Sequence, residues 1–194
     1  TMADLSDPPE IIPKLIKKID DGFDVVSASR YMTGGELKGA PWLKSLLSKI
    51  AGLSLFYLIG MGTKDCTNNF RAYNRKIFNK ISIESQHGFE VALELTVKAF
   101  LCGFEIGEVP SSWQERSVGE SKFQLWKWLP KYLRWYFLAL APLLNIFLVT
   151  STIIFIGSWM SLSLSIQCSY LILLCVIFYI KRRGRIRLKH HDTL

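Results

Sequence analysis

The sequence predicts an α/β domain followed by a pair of membrane-spanning helices, and two observations support this fold class. Short apolar strands alternate with amphipathic helices from residue 11 to residue 113, a pattern that is typical of α/β proteins. Two apolar segments without any charged residue, 135–159 and 162–180, come next. Each has about the length that spans a bilayer as a helix, and the short linker between them indicates a hairpin.

The charged residues divide the chain at the same place. Its 194 residues carry a formal net charge of +8, and no acidic residue lies between Glu120 and Asp192. The basic residues of this region flank the two apolar segments and are Lys122, Lys127, Lys131, Arg134, Lys181, Arg182, Arg183, Arg185, Arg187 and Lys189. An anionic membrane surface is therefore a better partner for them than a nucleic acid. The positive-inside rule predicts an integral membrane protein with the α/β part and both chain ends in the cytosol.

The first elements follow from the spacing of apolar residues. Residues 11–19 have apolar side chains at helical intervals with lysines between them, which predicts a helix. Residues 24–30, DVVSASR, form a short buried strand that ends in a cation, and a flexible glycine-containing loop occupies 33–35. A longer helix is predicted over 41–59. Its apolar stripe consists of Leu43, Leu46, Leu47, Ile50 and Leu53.

The later elements lead from the α/β layer to the membrane. A polar segment, 64–78, precedes an amphipathic helix over 89–102 that has Glu90 and Glu94 on one face and ends at Gly103. One strand is predicted over 105–113, followed by a polar loop. Residues 123–134 are rich in aromatic and basic side chains, which is typical of an interfacial helix. The expected parts are the α/β domain (1–122), this helix (123–134), the two spans (135–180) and a basic tail (181–194).

Two groups of polar residues are candidates for binding. Asp4, Ser6 and Asp7 precede two prolines, and carboxylates in a loop are suitable ligands for a hard divalent cation such as Mg²⁺ or Mn²⁺. The alternative is a helix N-cap formed by Ser6 or Asp7, and one loop can serve both purposes. Lys44 and Ser48 are four residues apart and so share one helix face, for which a solvated face is the alternative.

Three segments match a known enzyme family in order and spacing. They are MADLSDPPEIIPKLIKKIDDGFDVVSASRY at 2–31, DCTNNFRAYNRKIF at 65–78 and FEVALELTVKAFLCGFEIGEVPSSWQERSVGESKF at 89–123. These segments resemble the family 2 glycosyltransferases of the dolichyl-phosphate mannosyltransferase type, which load sugars onto polyprenyl phosphates. The resemblance implies a GT-A-like nucleotide-diphospho-sugar transferase fold, of which this chain holds the C-terminal part. We therefore expect a first, nucleotide-binding half to precede residue 1 and this chain alone to be inactive or nearly so.

The resemblance also implies roles for individual residues. Asp4 falls on the second aspartate of an Asp-x-Asp metal motif, whose first position is Met2 here. Asp65 falls on a family aspartate, and its implied catalytic role is to orient the sugar or the phosphate-binding arginines. Closing a turn is the alternative role for Asp65. The residues implied to bind the lipid phosphate are Arg30, Lys44, Ser48, Arg116, Ser121 and Lys122.

The implied reaction is an inverting transfer from a nucleoside-diphosphate sugar to a polyprenyl phosphate at the cytosolic membrane face. The phosphate is already an anion at neutral pH, so it needs positioning more than deprotonation. A divalent cation near Asp4 would neutralise the leaving diphosphate. One alternative is a processive polysaccharide synthase, although residues 131–135 have the Arg-Trp of those enzymes without their glutamine. Another is a non-catalytic membrane module that pairs with an intact partner or with a second copy.

Overall fold

A computed structural model describes residues 6–86, 90–115, 125–160, 166 and 168–176. The chain divides into two compact units, Thr1–Leu140 and Ala141–Leu194. The helices and strands, in chain order, are α1 (Ile12–Asp20), β1 (Val25–Ser29), β2 (Glu36–Lys38), α2 (Trp42–Ile59), β3 (Arg71–Tyr73), α3 (Val91–Leu101), β4 (Ile106–Pro110), β5 (Ser112–Gln114) and α4 (Leu125–Met160). Short 3-10 turns precede α1 and follow β3, at Pro9–Ile11 and Arg75–Asn79.

The first unit is built on a three-stranded sheet in the order β3-β1-β4. The central strand, β1, is parallel to β4, with Val25 opposite Ile106 and Ser29 opposite Pro110, and antiparallel to β3. All five residues of β1 are buried, which explains why the strand consists only of valine, alanine and serine. The predicted α/β class is confirmed, and the sheet is mixed. Its central strand ends directly before Arg30.

The predicted single strand over 105–113 is wrong in its extent, because two strands occupy this segment. Residues of β4 pair with β1, whereas β5 pairs in parallel with β2 in a separate two-stranded sheet. The chain changes sheets at Ser111, whose N–H donates to Ser29 O at 3.0 Å and whose carbonyl accepts from Glu36 N at 3.1 Å. Proline has no N–H to give to a ladder, so Pro110 marks the place where the first pairing ends.

The buried face of α2 differs from its predicted apolar stripe. The buried residues of the helix are Gly52, Leu55 and Ile59, whereas Leu46 and Ile50 of the stripe are exposed. The reason is a close approach at Gly52, where an added Cβ would lie 1.9 Å from the carbonyl oxygen of Lys64. Only a glycine lets the helix backbone pack directly on the segment that follows it. This contact decides which side of α2 faces the domain.

The first part of α4 belongs to the core of the first unit. Trp135, Ala139 and Leu140 are buried in one cluster with residues of α2, α3 and β1. The hydroxyls of Ser54 on α2 and Tyr136 on α4 lie 2.9 Å apart and are hydrogen-bonded. Residues 125–134 of the predicted interfacial helix and the first predicted span both lie in α4, which runs for 36 residues. These packed residues attach α4 to the α/β domain.

Two described helices, Trp42–Ile59 and Trp126–Ile156, are long and apolar enough to cross a membrane by length and composition. The longer one contains most of the first predicted span. In the second predicted span, the structure describes residue 166 and residues 168–176 as helical. Ser161 of the linker, the end of the second predicted span (177–180) and the basic tail (181–194) lie outside the described residues. The shorter candidate, α2, was not predicted to contact a membrane.

Replacement of Gly52 by alanine tests the close approach of α2. Alanine stabilises an exposed helix interior by about 0.5–1 kcal/mol relative to glycine, but here its Cβ would overlap Lys64 O. We expect Gly52→Ala to destabilise the protein by about 1–3 kcal/mol, as overpacking does, measured by thermal unfolding in detergent. Lys49→Ala, at an exposed position of the same helix, should change stability by less than about 0.5 kcal/mol. A stabilised Gly52→Ala variant would show that α2 does not pack this closely.

Candidate functional site

Arg30 and Asp65 form a buried ion pair at the carboxyl end of β1. Arg30 follows the strand directly, and Asp65 lies in the loop between α2 and β3. The guanidinium binds the carboxylate in a two-pronged manner, with Nε 2.7 Å from Oδ2 and Nη2 2.9 Å from Oδ1. The backbone N–H of Arg30 also donates to Oδ2 at 3.1 Å. The side chains are 13% and 0% exposed, respectively, so the pair is well shielded from water.

The pKa values of both groups favour the charged pair. Burial alone would raise the pKa of Asp65, but the charge and hydrogen bonds of Arg30 outweigh burial and hold that pKa below its usual value. Burial would lower the pKa of Arg30, and the Asp65 carboxylate reverses this effect, so that the Arg30 pKa lies above its usual value. The Asp7 carboxylate acts in the same direction on Arg30. Asp65 therefore carries a negative charge at neutral pH.

Three hydroxyl groups surround the guanidinium of Arg30. Its Nη2 atom lies 3.1 Å from Thr67 Oγ1 and 3.3 Å from Ser48 Oγ. These two hydroxyls are 2.7 Å apart, and the Tyr31 hydroxyl donates to Ser48 Oγ at 2.9 Å. Burial raises the pKa of Tyr31, so its hydroxyl keeps the proton that it donates. The cluster joins the end of β1, the middle of α2 and the loop of Asp65.

One edge of the Arg30 guanidinium is a candidate donor to a ligand. Among the hydrogen bonds within the described part of the chain, Nε and Nη2 have acceptors and Nη1 has none. A guanidinium has five N–H donors in a fixed plane, so the Nη1 group can donate two hydrogen bonds to an anion. The hydroxyls of Ser48 and Thr67 border the same guanidinium and are hydrogen-bonded to each other. The geometry suits an oxyanion such as phosphate.

A second layer of hydrogen bonds fixes the backbone of Asp65. Its carbonyl oxygen accepts from Ser27 Oγ at 2.8 Å and from Arg71 Nη2 at 2.6 Å. The buried Arg71 also donates to the carbonyl of Asn68 and to the hydroxyl of Thr96 on α3. Asn68 Nδ2 in turn donates to Ala28 O of β1 at 2.9 Å. The loop is thus held from the sheet and from α3, which sets the direction of the Asp65 carboxylate.

The structure brings three of the predicted site residues together, namely Arg30, Ser48 and Asp65. Lys44 is half-buried and lies one helical turn before Ser48 on α2. The other predicted residues, Asp4, Arg116, Ser121 and Lys122, lie outside the described residues. The sequence analysis did not single out Tyr31, Thr67 or Arg71. Only their position in the sequence could have indicated these residues. Each lies within a segment that resembles the family, and each is close in sequence to Arg30 or Asp65.

The described residues test only part of the predicted metal site and of its N-cap alternative. Among residues 6–86, 90–115 and the described parts beyond, no three His, Cys, Asp or Glu side chains converge as a metal site. The predicted ligand, Asp4, is outside these ranges. The N-cap alternative for Ser6 and Asp7 is wrong, since the N-cap residue of the turn Pro9–Ile11 is Pro8 and makes no side-chain capping bond. Proline at the first turn already has the backbone angle that a helix start requires.

Cys66, next to Asp65, is a buried thiol without nucleophilic character. Its side chain is 0% exposed, and burial raises its pKa to about 12. A thiol with such a pKa is protonated at neutral pH, and the thiolate is the reactive form. Cys66 is therefore not a candidate nucleophile of this site.

Comparisons with known proteins identify a family and relatives to which this chain is similar. The family described as Glycosyl transferase family 2 matches residues 3–82. The chain is similar to a polyprenol monophosphomannose synthase of Mycolicibacterium smegmatis, with 37% identity over 122 residues, 62% of this chain and 46% of the relative. It is also similar to a dolichol-phosphate mannosyltransferase of Pyrococcus furiosus, with 33% identity over 136 residues, 68% of this chain and 37% of the relative. The chain thus spans less than half the length of either relative.

Substitution of Asp65 by asparagine tests the buried pair. The variant leaves Arg30 as a buried charge without its counter-ion, which costs roughly 3 kcal/mol or more. We expect this loss at neutral pH, measured as the free energy of unfolding in detergent. Glu36→Gln is the matched control, since it makes the same chemical change in an exposed pair with Lys38, where the effect should be near zero.

The same variant should show a defined pH dependence. The pKa of Asp65 is lower in the folded than in the unfolded protein, so the unfolded chain takes up the proton first as the pH falls. The stabilisation is complete above the ordinary carboxyl pKa of about 4 and is lost as the pH falls through the folded value. The difference between wild type and Asp65→Asn should therefore narrow only below about pH 4. A difference that shrinks already between neutral pH and pH 5 would contradict the lowered pKa.

Proposed function

Since the chain belongs, through residues 3–82, to glycosyl transferase family 2, as the resemblance predicted, we propose that it transfers a sugar from a nucleoside diphosphate to a polyprenyl phosphate. The names of the two relatives support this acceptor, and they make mannose the first sugar to test. The observation that carries the proposal is the Nη1 edge of Arg30, which has no acceptor among the described residues and lies on a guanidinium bordered by two hydroxyls in a family member. This arrangement suits the phosphate of the acceptor lipid.

The proposed reaction is a single displacement at the anomeric carbon. A phosphate oxygen of the lipid forms the new bond while the bond between the sugar and the nucleoside diphosphate breaks, and the electron pair leaves with the diphosphate. No proton has to be removed, because the phosphate monoester is already ionised at neutral pH. The described residues therefore act by positioning. Arg30, Ser48 and Thr67 bind the phosphate, and Asp65 holds the guanidinium in the required plane.

Further residues are assigned to the site by the family resemblance. Arg116, Ser121 and Lys122, together with Lys44 on α2, would add positive charge and donors around the same phosphate. This addition is physically needed, because the Arg30 and Asp65 pair is neutral as a whole. Asp4 would hold a divalent cation, Mg²⁺ or Mn²⁺, which would offset the charge of the leaving diphosphate when bound.

We further propose that the protein is integral to the membrane with its catalytic part on the cytosolic side. The apolar α4 supports this topology, as do the basic residues on either side of the two apolar segments and the absence of charged residues between those segments in the sequence. A polyprenyl phosphate has its phosphate at the membrane surface, where the start of α4 joins the α/β domain. The candidate site and the phosphate of its acceptor would then lie at the same membrane surface. A product that carries a single sugar per lipid would distinguish this activity from processive synthesis.

Removal of the Ser48 hydroxyl tests the phosphate site in a catalytically active preparation of the protein. Hydrogen bonds to charged groups are worth about 1.5–3 kcal/mol, so Ser48→Ala should raise KM for the polyprenyl phosphate about tenfold or more and leave KM for the sugar nucleotide unchanged. Ser45→Ala is the matched control, because the Ser45 hydroxyl bonds to Pro41 O on the same helix. Equal effects of the two variants would remove Ser48 from the acceptor site.

Arg116 tests the part of the proposal that lies outside the described residues. Loss of a charged bond to phosphate in Arg116→Ala should reduce activity at least about tenfold. Arg116→Lys should restore only part of it, since a point charge cannot grip phosphate with two bonds. Both variants are assayed with a short water-soluble prenyl phosphate, which removes any effect of membrane attachment. Full activity of Arg116→Ala with this acceptor would exclude the role.

A further inference from the structure

A buried carboxylate at the start of α3 has an oxygen without a hydrogen-bond partner. Glu90 directly precedes α3 and is 3% exposed. Within the described part of the chain, its Oε2 atom is buried and receives no hydrogen bond. Burial of a carboxylate without a partner is costly, and an unsatisfied group of this kind in a folded protein requires an explanation.

The helix start itself does not supply the missing partner. Side chains in the N-cap position can accept hydrogen bonds from the N–H groups of the first turn, but Glu90 makes no such bond with α3. The carboxylate of Glu94, which is also buried, accepts from two backbone N–H groups and from Lys98. Contacts within the described fold therefore account for the burial of Glu94 but not for the burial of Glu90.

The start of α3 lies at the same end of the sheet as Arg30. A short turn at Gly103 joins α3 to β4, and the helix packs on this strand, so it runs along β4 in the opposite direction. The 11 residues of α3 and the five of β4 both span roughly 16 Å. Because β4 is parallel to β1, Glu90 is near the carboxyl ends of both strands, and Arg30 directly follows β1.

Two side-chain interactions agree with this placement. Thr96 of α3 accepts a hydrogen bond from Arg71, which also holds the loop of the buried ion pair. Glu90 lies six residues, about 9 Å, closer to the start of the helix than Thr96. The charges of Glu90 and Arg30 both act on the hydroxyl of Tyr132 on α4. Glu90 therefore belongs to the surroundings of the candidate site.

The chemistry of a carboxylate restricts what Glu90 can bind. An ionised carboxylate only accepts hydrogen bonds, and it repels a phosphate or diphosphate at short range. The other polar parts of the proposed substrates include hydroxyl groups on the transferred sugar and on the ribose of the nucleoside. During transfer, the sugar bonds to the phosphate that we place at Arg30, whereas two phosphates separate the sugar from the ribose. The hydroxyls of the transferred sugar are therefore the better partners.

We propose that Glu90 binds hydroxyl groups of the transferred sugar and thereby contributes to the choice of sugar. A sugar hydroxyl would give Oε2 the partner that the described residues do not supply. A buried acceptor also discriminates against a sugar that lacks the hydroxyl, because the acceptor then stays unsatisfied. The inference rests on the proposed function, since the sugar reaches this place as part of the donor or of the product.

Binding of acceptor and product tests this role without turnover. Titration calorimetry compares a short water-soluble prenyl phosphate with the same prenyl phosphate carrying mannose, in a catalytically active preparation of the protein. Glu90→Gln should weaken binding of the mannosylated ligand about fivefold, because bonds to charged groups are the stronger ones. Binding of prenyl phosphate should stay the same or become tighter, since a nearby negative charge is lost. Glu105→Gln, directly before β4 at the other end of the sheet, is the matched control and should change neither.

Each other outcome overturns a defined statement. Equal weakening of both ligands would show that Glu90 supports the fold only, and would overturn the inference. Unchanged binding of both ligands, or weaker binding of prenyl phosphate alone, would also overturn it. Failure of the wild-type protein to bind either ligand would contradict the proposed function itself, and the inference with it.

Deoxy sugars test the choice of sugar during transfer. Nucleoside-diphosphate mannose and its monodeoxy analogues are compared as donors for the wild type and for Glu90→Ala. For at least one hydroxyl, its removal should lower kcat/KM at least about tenfold in the wild type and much less in the variant, because the variant already lacks the partner of that hydroxyl. Equal losses in the two proteins for every analogue would overturn the inference.

Discussion

The site depends on one interaction, the buried ion pair between Arg30 and Asp65. Taking two charges out of water is costly, and the cost is offset only when geometry and additional hydrogen bonds are good. Here the carboxylate receives two side-chain bonds and one backbone bond from Arg30, and a further bond from Asn68 N at 3.2 Å. The pair fixes the plane of the guanidinium, so that its Nη1 edge has a constant direction. It also neutralises Arg30, and an anionic ligand therefore needs further cations nearby.

The surrounding fold serves to keep that pair in place. Small residues in β1 let the sheet be covered on both faces, and Ser27 of this strand bonds to the backbone of Asp65. Arg71 links the same loop to α3, and Gly52 allows α2 to approach closely enough for Ser48 to reach Arg30. These contacts polarise and restrain one another as a network. A displacement of any of the three elements would change the direction of the guanidinium.

A second group of charged residues links α3 to α4 through the buried Glu94 and an exposed ion pair. Glu94 is fully buried, and its carboxylate accepts from the backbone N–H groups of Glu84 and Ser85 and from Lys98. Burial would raise the pKa of Glu94, but these hydrogen bonds outweigh it and lower the pKa. Lys98 and Arg134 both bind Glu84, so the segment before α3 is tied to the start of α4. The buried residues Trp135, Ala139 and Leu140 contribute more to holding α4 on the domain than this exposed pair does.

The sequence by itself determined the family and the α/β class, and it named three residues that the structure brings together in the candidate site, Arg30, Ser48 and Asp65. Local patterns predicted α1, β1, α2 and α3, because each depends on the spacing of neighbouring apolar residues, and a cation at the end of β1 marked Arg30. The tertiary structure decided what depends on distant residues. Ser48 and Thr67 are 19 residues apart in sequence, and Arg30 and Asp65 are 35 apart, so only folding reveals their contact. The exposed face of α2 was also settled by one backbone contact at Gly52, since periodicity shows that a helix has an apolar face but not which surface covers it.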